Sequence, residues 1–350
     1  MRKVFFALFA FFFVISCSQK ETYKIGVMLP LTGNGAATCI NAKNAIELCV
    51  EKWNDKGGVL GQQIELFIQD SKNEPKEGIN IANRFVQIDH PKLVISAISG
   101  IVLNAQPIFE SHSIIQLCSV GTENLFATSP HYTIRNFLTT HQTSSMVINT
   151  IEKYFERDNF KLFYSNNEFG ESVKDELVTL AKNVKIGYQI SYDEKENDYR
   201  NIISKAELKD DDIIYVAGNS TSLGRLIKQI RESNFNGIII GSEDVISASA
   251  LNIIGNYTYN LYYVSLYVSP EVDSLKQEYK KRYKEEMSDL SVLAYNGLDF
   301  MLSAISRFGT IDNKILIDSL PSFNYNKYMG NNYYKDNEIV YDFQIKKLEK

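Results

Sequence analysis

The chain has 350 residues, of which 44% are hydrophobic and 23% are charged. This length exceeds one ordinary domain and suits two of roughly 150 residues each, with enough apolar side chains to build a core in both. The formal net charge is −5 and no sustained basic run is present, so the electrostatic footprint of a nucleic-acid-binding protein is missing. We therefore expect no nucleic-acid partner.

The first residues predict export. Arg2 and Lys3 precede an uninterrupted apolar run at 4–15, which is too short for a membrane span and is typical of a signal peptide. The next residues, Val14-Ile15-Ser16-Cys17, resemble a bacterial lipobox, in which the cysteine is acylated and becomes the new N-terminus. We predict a lipoprotein signal peptide over 1–17 and an exported protein, held on a membrane facing the periplasm or exterior only by lipid on Cys17. An ordinary secretory signal with an incidental cysteine is the alternative.

The remaining cysteines are Cys39, Cys49 and Cys118, and their odd number leaves at least one thiol free. Cys39 and Cys49 lie on one predicted helix, too far apart along its axis to form a disulfide. We interpret these cysteines as small buried apolar residues. Four scattered histidines show no metal-ligand spacing, so we expect no metal site.

From residue 24 onward, short apolar runs typical of β-strands alternate with segments of helical periodicity, which predicts a parallel α/β architecture. Two successive series of strands are expected, the first at 24–29, 64–69, 93–96 and 114–117, and the second at 161–164, 185–190, 213–216, 237–240 and 261–264.

Two helices without an intervening strand follow the second series, at 270–287 and 291–308. We expect the chain to return through them to the first sheet, because more helical mass follows the point where the second series ends. Residues 324–341 are rich in Asn, Tyr and Lys, a composition that fits either edge strands or a surface loop.

Known catalytic and cofactor motifs are absent from the sequence. Gly33-Asn34-Gly35 follows the first predicted strand, where main-chain N–H groups can bind an anion, but Thr38 stands where the dinucleotide fingerprint needs a third glycine. The phosphate loop, the G-x-S-x-G nucleophile elbow and the H-E-x-x-H motif do not occur. We expect no cofactor and no enzymatic activity, with an exported enzyme on a flavodoxin-like scaffold as an alternative.

Two motifs together resemble the type I periplasmic binding proteins, especially their leucine/isoleucine/valine-binding branch. Residues 23–33, Y-K-I-G-V-M-L-P-L-T-G, are similar to that family's opening strand and P-L-T-G loop. Residues 54–64, N-D-K-G-G-V-L-G-Q-Q-I, are similar to its N-x-K-G-G-V-L-G-x-x-I turn, and Gly57-Gly58 there suits a helix end that requires positive φ. Weaker similarity extends to about residue 310.

The resemblance implies an α/β, two-lobed type I periplasmic-binding-protein fold. Each lobe would be a mainly parallel sheet flanked by helices, with a hinge of crossing strands. The N-terminal lobe is expected to comprise 22–137 plus 269–322, and the C-terminal lobe 138–268 plus 323–350.

In that family the ligand, an amino acid, is held between the lobes by loops at the carboxyl ends of strands. By position, Ser99 would bind the ligand carboxylate, Val120 would offer main-chain groups, Thr122 would offer its hydroxyl and Glu243 would face the ligand ammonium. A buried carboxylate makes sense there only against a cation. The alternatives are that Ser99 and Thr122 are turn or cap residues, and that Glu243 is a solvated loop acid with Asp244 in its role.

Three further ligand-binding positions depart from the leucine-type pattern. Thr38 stands in place of an aromatic residue, Phe169 in place of a tyrosine, and Asn219 in place of another aromatic residue. The loss of two rings and the gain of an amide indicate a ligand that is smaller or more polar than leucine.

The resemblance thus implies an extracytoplasmic solute-binding receptor. It would capture a small polar ligand, an amino acid or a related compound, by closure of the lobes and deliver it to an ABC permease. A ligand-sensing lipoprotein that acts on a signalling partner is the alternative, and the identity of the ligand stays open.

Overall fold

The computed structural model describes residues 21–33, 35–155 and 159–348. The predicted signal peptide and its Cys17 lie outside the described residues, so the structure does not bear on that prediction. In the part of the chain that the structure describes, no helix combines the length and the apolar character needed to cross a bilayer.

The first half of the chain builds one lobe by alternating strands and helices, as the hydrophobic pattern predicts. Its elements are β1 (Tyr23–Leu29), α1 (Ala36–Asn54), β2 (Ile64–Asp70), α2 (Pro75–Arg84), β3 (Leu93–Ala97), α3 (Ser99–Ser111), β4 (Ile115–Ser119) and β5 (Thr133–Arg135). These strands pair in parallel, and β1 lies between β2 and β3.

The middle of the chain builds the second lobe in the same way. Its elements are α4 (Thr140–Thr150), β6 (Asn159–Ser165), α5 (Glu168–Leu180), β7 (Lys185–Tyr192), α6 (Arg200–Lys205), β8 (Ile213–Ala217), α7 (Ser220–Glu232), β9 (Ile238–Gly241), α8 (Ala248–Ile254) and β10 (Leu261–Leu266). Every residue of β8 is buried, because β8 runs through the middle of its sheet with helices over both faces.

The last part of the chain returns to the first lobe and then re-enters the second. Its elements are α9 (Val272–Tyr283), α10 (Asp289–Phe308), α11 (Asn313–Ser319), β11 (Asn324–Lys327), β12 (Gly330–Lys335), β13 (Glu338–Val340) and β14 (Phe343–Lys347). Helix α10 packs along α1. The strand orders are β11-β12-β13-β5-β4-β3-β1-β2 in one sheet and β14-β10-β9-β8-β6-β7 in the other.

The C-terminal stretch corrects one expected boundary. We expected residues 323–350 to belong to the C-terminal lobe as a whole, but β11, β12 and β13 extend the first sheet, where β13 pairs with β5. Of the described strands in this stretch, β14 joins the second sheet, antiparallel to β10. The expectation is therefore wrong for 324–340. Of the two alternatives left open for this stretch, edge strands are the correct one.

The Gly-Gly turn that follows α1 has the conformation that its sequence predicts. Gly57 and Gly58 have φ of 98° and 80°, in the left-handed region that favours glycine. A Cβ on Gly58 would lie 1.8 Å from the Gln62 carbonyl oxygen, so a larger residue cannot occupy this position. The Asn54 side chain closes the turn, accepting from Ile64 N at 2.7 Å and donating to Ile64 O at 2.9 Å.

The chain passes between the two sheets after β5, after β10 and after β13. The third crossing segment is hydrogen-bonded to each of the other two. The Tyr341 hydroxyl donates to Asn136 Oδ1 at 2.5 Å, and Tyr267 N donates to Asp342 O at 2.8 Å. Crossings that are joined in this way form a hinge about which two packed lobes can rotate as units.

The three remaining cysteines lie in the cores, as expected. Cys39 and Cys49 are on α1 and Cys118 is on β4, and all three are buried and free. Burial in apolar surroundings raises the pKa of each thiol, so these side chains are neutral packing residues at neutral pH.

Candidate ligand-binding site between the lobes

A cavity of about 580 Å³ separates the two lobes. It lies at the carboxyl ends of the strands, where parallel α/β sheets place their ligand sites. The first lobe contributes the segments that follow β1, β2, β3, β4 and β5, and the second lobe contributes those that follow β6, β7, β8 and β9. Both lobes therefore form walls of one site.

Ser99 lies on the first-lobe wall at the first residue of α3, and its side chain is buried. The residue before it, Ile98, has φ of 71°, which is a strained conformation for a β-branched residue. Ile98, not Ser99, occupies the N-cap of α3, so the interpretation of Ser99 as the cap of this helix is wrong. With Ile98 in this conformation, the chain passes from β3 into α3, and the first residues of α3 line the cavity.

Val120 lines the cavity, as expected for a residue that offers main-chain groups, but Thr122 does not. The chain turns inward at Thr122 to start a 3₁₀ turn over Glu123–Phe126. The Thr122 hydroxyl is buried without a hydrogen-bond partner, and its carbonyl accepts from Arg135 Nη2 at 2.9 Å. The structure therefore corrects the prediction that Thr122 contacts the ligand. Although Thr122 is the N-cap of this turn, its side chain makes no capping hydrogen bond.

Thr38 bridges the lobes from its position on the first turn of α1. Its hydroxyl lies 2.9 Å from Ser220 Oγ and donates to Asp244 Oδ1 at 3.5 Å, and both partners belong to the second lobe. Thr38 also lines the cavity. The position where the family pattern has an aromatic ring thus holds a polar link between the lobes.

Phe169 and Asn219 both lie on the second-lobe wall. Phe169 is in the first turn of α5 and is partly buried against the apolar core. Asn219 precedes α7, and its main-chain and side-chain nitrogens donate to the two carboxylate oxygens of Glu194, at 3.1 and 3.3 Å. The Asn219 amide therefore helps to fix Glu194 at the cavity edge.

Glu243 is the most deeply buried carboxylate on the wall, with 6% of its surface exposed. Its pKa is raised to about 7, mainly by burial; its own main-chain N–H opposes the shift, and the nearby Asp244 charge adds to it. The interpretation of Glu243 as a solvated loop acid is therefore wrong. The structure brings Glu243 together with Ser99, Val120, Thr38, Phe169 and Asn219 around one cavity.

Asp244 lies beside Glu243 and is held by α7. Its Oδ2 accepts from the Ser220 N–H at 2.9 Å and from the Ser220 hydroxyl at 3.2 Å. Burial raises the pKa of Asp244, although these bonds and the one from Thr38 oppose the shift. Asp244 thus takes part in the contact between the lobes and also lines the cavity.

Sequence reasoning missed several residues of the wall. Glu168, Asp193 and Glu194 line it from the second lobe, and Leu290, Leu293 and Ala294 of α10 line it from the first. The acids follow the ends of β6 and β7, so the rule that strand ends form the site could have found them. No local signal marks the α10 residues, because only the packing of α10 on α1 brings them to the cavity.

Comparison with known proteins decides the family. A family model described as periplasmic binding protein matches residues 22–348. The chain belongs to the periplasmic binding protein family. This membership places it outside the cytoplasm, in the cell envelope, among solute-binding receptors of the ABC-transporter type.

Two curated relatives carry names of the leucine/isoleucine/valine branch. The chain is 26% identical over 276 residues to a Leu/Ile/Val-binding protein homolog 1 of Brucella abortus, covering 73% of this chain and 70% of the relative. It is 25% identical over 309 residues to a Leu/Ile/Val-binding protein homolog 2 of the same species, covering 82% and 79%. The resemblance drawn from the two sequence motifs is therefore confirmed.

Solved structures confirm the two-lobed fold. The branched-chain amino-acid transporter substrate-binding protein LivJ of Streptococcus pneumoniae, in complex with isoleucine, superposes with a TM-score of 0.86 at 18% identity, covering 94% of this chain and 96% of that one. A solute-binding protein of Rhodopseudomonas palustris in complex with 3,4-dihydroxybenzoic acid superposes with a TM-score of 0.84 at 21% identity, covering 94% and 93%. This fold accepts chemically different solutes.

The pKa of Glu243 predicts how the stability of the periplasmic binding protein depends on pH. Its pKa rises from the ordinary 4.5 to about 7 on folding, so the folded state binds an extra proton between these pH values. That contribution is fully present below pH 4.5 and is lost as the pH rises through about 7. We expect the thermal midpoint of the ligand-free protein to fall over this range, measured by calorimetry.

Glu243→Gln should remove most of this fall, since glutamine does not titrate. Glu232→Gln, at the exposed end of α7 away from the cavity, is the matched control and should keep it. An unchanged slope in Glu243→Gln would contradict the assignment.

Proposed function

We propose that this protein captures a small polar solute, an amino acid or a related compound, by closing its lobes, and delivers it to an ABC permease. The observation that carries the proposal is the cavity between the lobes, with a buried carboxylate, Glu243, on its wall. A buried charge is stabilised only by a partner, and a ligand cation in the cavity provides one.

The roles of the site residues follow from their positions on the wall. The hydroxyl of Ser99 and main-chain groups of Val120 bind the polar end of the solute that lies against the first lobe. Glu243 binds its cationic group from the second lobe, and Phe169 packs against its body. Thr38 and Asn219 act indirectly: they position Asp244 and Glu194, to which they are hydrogen-bonded.

Closure is driven by contacts that exist only when both lobes reach the solute. Moving the lobes from about 1% to about 99% closed requires about 5.5 kcal/mol of preference for the closed form. A few charge-assisted hydrogen bonds at ~1.5–3 kcal/mol each supply this amount. The moving bodies in this proposal are 22–137 with 269–340, and 138–268 with 343–348. A permease then recognises the closed form.

Binding is tested by thermal unfolding of the purified protein with amino acids, short amides, purines and small acids. A bound solute at 100 times its dissociation constant stabilises the protein by ~2.7 kcal/mol. We expect at least one compound to raise the thermal midpoint and Glu243→Ala to abolish that response, while Glu232→Ala keeps it. A response in Glu243→Ala equal to that of the unchanged protein would remove Glu243 from the site.

We also propose that lipid on Cys17 anchors the protein to a membrane, on the strength of the lipobox-like sequence that ends at this residue. In cells that make the full chain, we expect labelled fatty acid to be incorporated and the protein to sediment with membranes. Cys17→Ala should lose the label and the sedimentation. A Cys17→Ala protein that still carries the label would overturn the proposal.

A further inference from the structure

The cavity concentrates negative charge, and this bears on the class of solute that the proposed receptor takes. Six carboxylates line it, from Glu74, Glu168, Asp193, Glu194, Glu243 and Asp244, against two ammonium groups, from Lys72 and Lys195. The lining thus has a formal net charge of −4, since six acids face two bases, where the whole chain has −5.

Helix ends reduce this charge without removing it. The first turns of α1, α2, α3, α5 and α7 border the cavity, and a helix N-terminus acts as about half a positive charge. These helices together supply roughly +2.5. The cavity therefore stays negative in balance, even with Glu243 about half protonated near its pKa of about 7, and this attracts cations and repels anions.

Three of the carboxylates converge on one part of the second-lobe wall. Glu194 accepts from the Asn219 N–H at 3.1 Å, and Asp244 accepts from the N–H of the next residue, Ser220, at 2.9 Å, so the two carboxylates lie side by side at the start of α7. Glu243 neighbours Asp244 in the chain and shares its part of the wall. Among the described residues, no Lys, Arg or His charge acts on Glu243 or Asp244 to offset their burial.

A fourth carboxylate belongs to the same lobe and extends across the cleft to the first lobe. Glu168, at the start of α5 in the second lobe, reaches the N-terminus of α3 in the first. A Cβ on Gly100 would lie 2.8 Å from Glu168 Oε2, so the absence of a side chain at Gly100 makes room for this carboxylate. A solute carboxylate placed at the same helix end meets the charge of Glu168.

We propose that the solute carries a net positive charge, with a cationic group, an ammonium, amidinium or guanidinium, against the Glu243–Asp244 wall. A zwitterion such as leucine brings one cation, but it also adds a carboxylate to a lining that already holds six. A solute with more cations than anions, such as a dibasic amino acid or a diamine, brings a net positive charge that offsets the charge of the lining. This inference rests on the proposed function and narrows its substrate class.

Titration calorimetry of the full mature protein with matched probes tests the proposal. Lysine and norleucine share a linear side chain and differ by the terminal ammonium, agmatine carries two cations, and glutamate is an anion. We expect lysine or agmatine to bind at least tenfold more tightly than norleucine, which corresponds to ~1.4 kcal/mol, and glutamate not to bind. Raising the ionic strength should weaken the binding of the cations.

Variants at the wall separate a charge effect from a loss of shape. Glu243→Gln and Glu168→Gln keep the size of each side chain, and they should lower the affinity for the cation about tenfold or more, while Glu232→Gln should not. Circular dichroism confirms that each variant is folded. The proposal would be overturned if Glu168→Gln and Glu243→Gln both bound the cation as tightly as the unchanged protein does.

The outcomes distinguish this inference from the proposed function. Binding of norleucine or glutamate as tight as that of lysine and agmatine would overturn the charge preference, yet it would support a solute receptor. Binding of neither lysine nor agmatine would also overturn the charge preference, and the broad thermal screen would then judge the receptor function independently.

Discussion

The structure depends on one constraint: a carboxylate is buried in the cleft between two lobes without a protein cation to match it among the described residues. Glu243 keeps 6% of its surface exposed, and its pKa of about 7 records how unfavourable its charge is there. A folded core does not keep such a group without a reason. Here the group faces a cavity, and in the function that we propose a bound cation resolves the conflict and draws the lobes together.

The fold explains why polar and charged side chains gather at the cleft although the lobes are apolar inside. Central strands such as β8 are buried along their full length, so side chains that can meet a solute are confined to the segments that leave the strands. Both sheets direct those segments at the same cleft. The hydrogen bonds from Thr38 to Ser220 and Asp244 show that the edges of the two lobes already contact each other. The crossing segments are joined near Asn136 and Tyr341, so the simplest motion of one lobe relative to the other is a rotation.

The sequence was sufficient to predict local and repeated features of the fold, and predictions failed for contacts between segments that are distant in the chain. The strands of both series and the Gly57-Gly58 turn follow from periodicity and from backbone conformation. The assignment of 324–340 failed because nothing in the composition of an Asn- and Tyr-rich stretch states which sheet edge it pairs with. Thr122 failed because the chain turns at this residue into the Glu123–Phe126 3₁₀ turn, which leaves the Thr122 side chain buried outside the cavity lining. The position of Glu168 after β6 could have marked it as a wall residue, but its contact with Gly100 could not be predicted, because the contact exists only once the lobes face each other.

The most direct test of closure is small-angle X-ray scattering from the protein with and without a solute found by the thermal screen. The account predicts a smaller radius of gyration at saturation, and a ligand-free curve that requires a cleft between two bodies. The Glu243→Ala variant should give the ligand-free curve under both conditions. An identical radius of gyration with and without a bound solute, or a ligand-free curve that fits one body lacking a cleft, would contradict it.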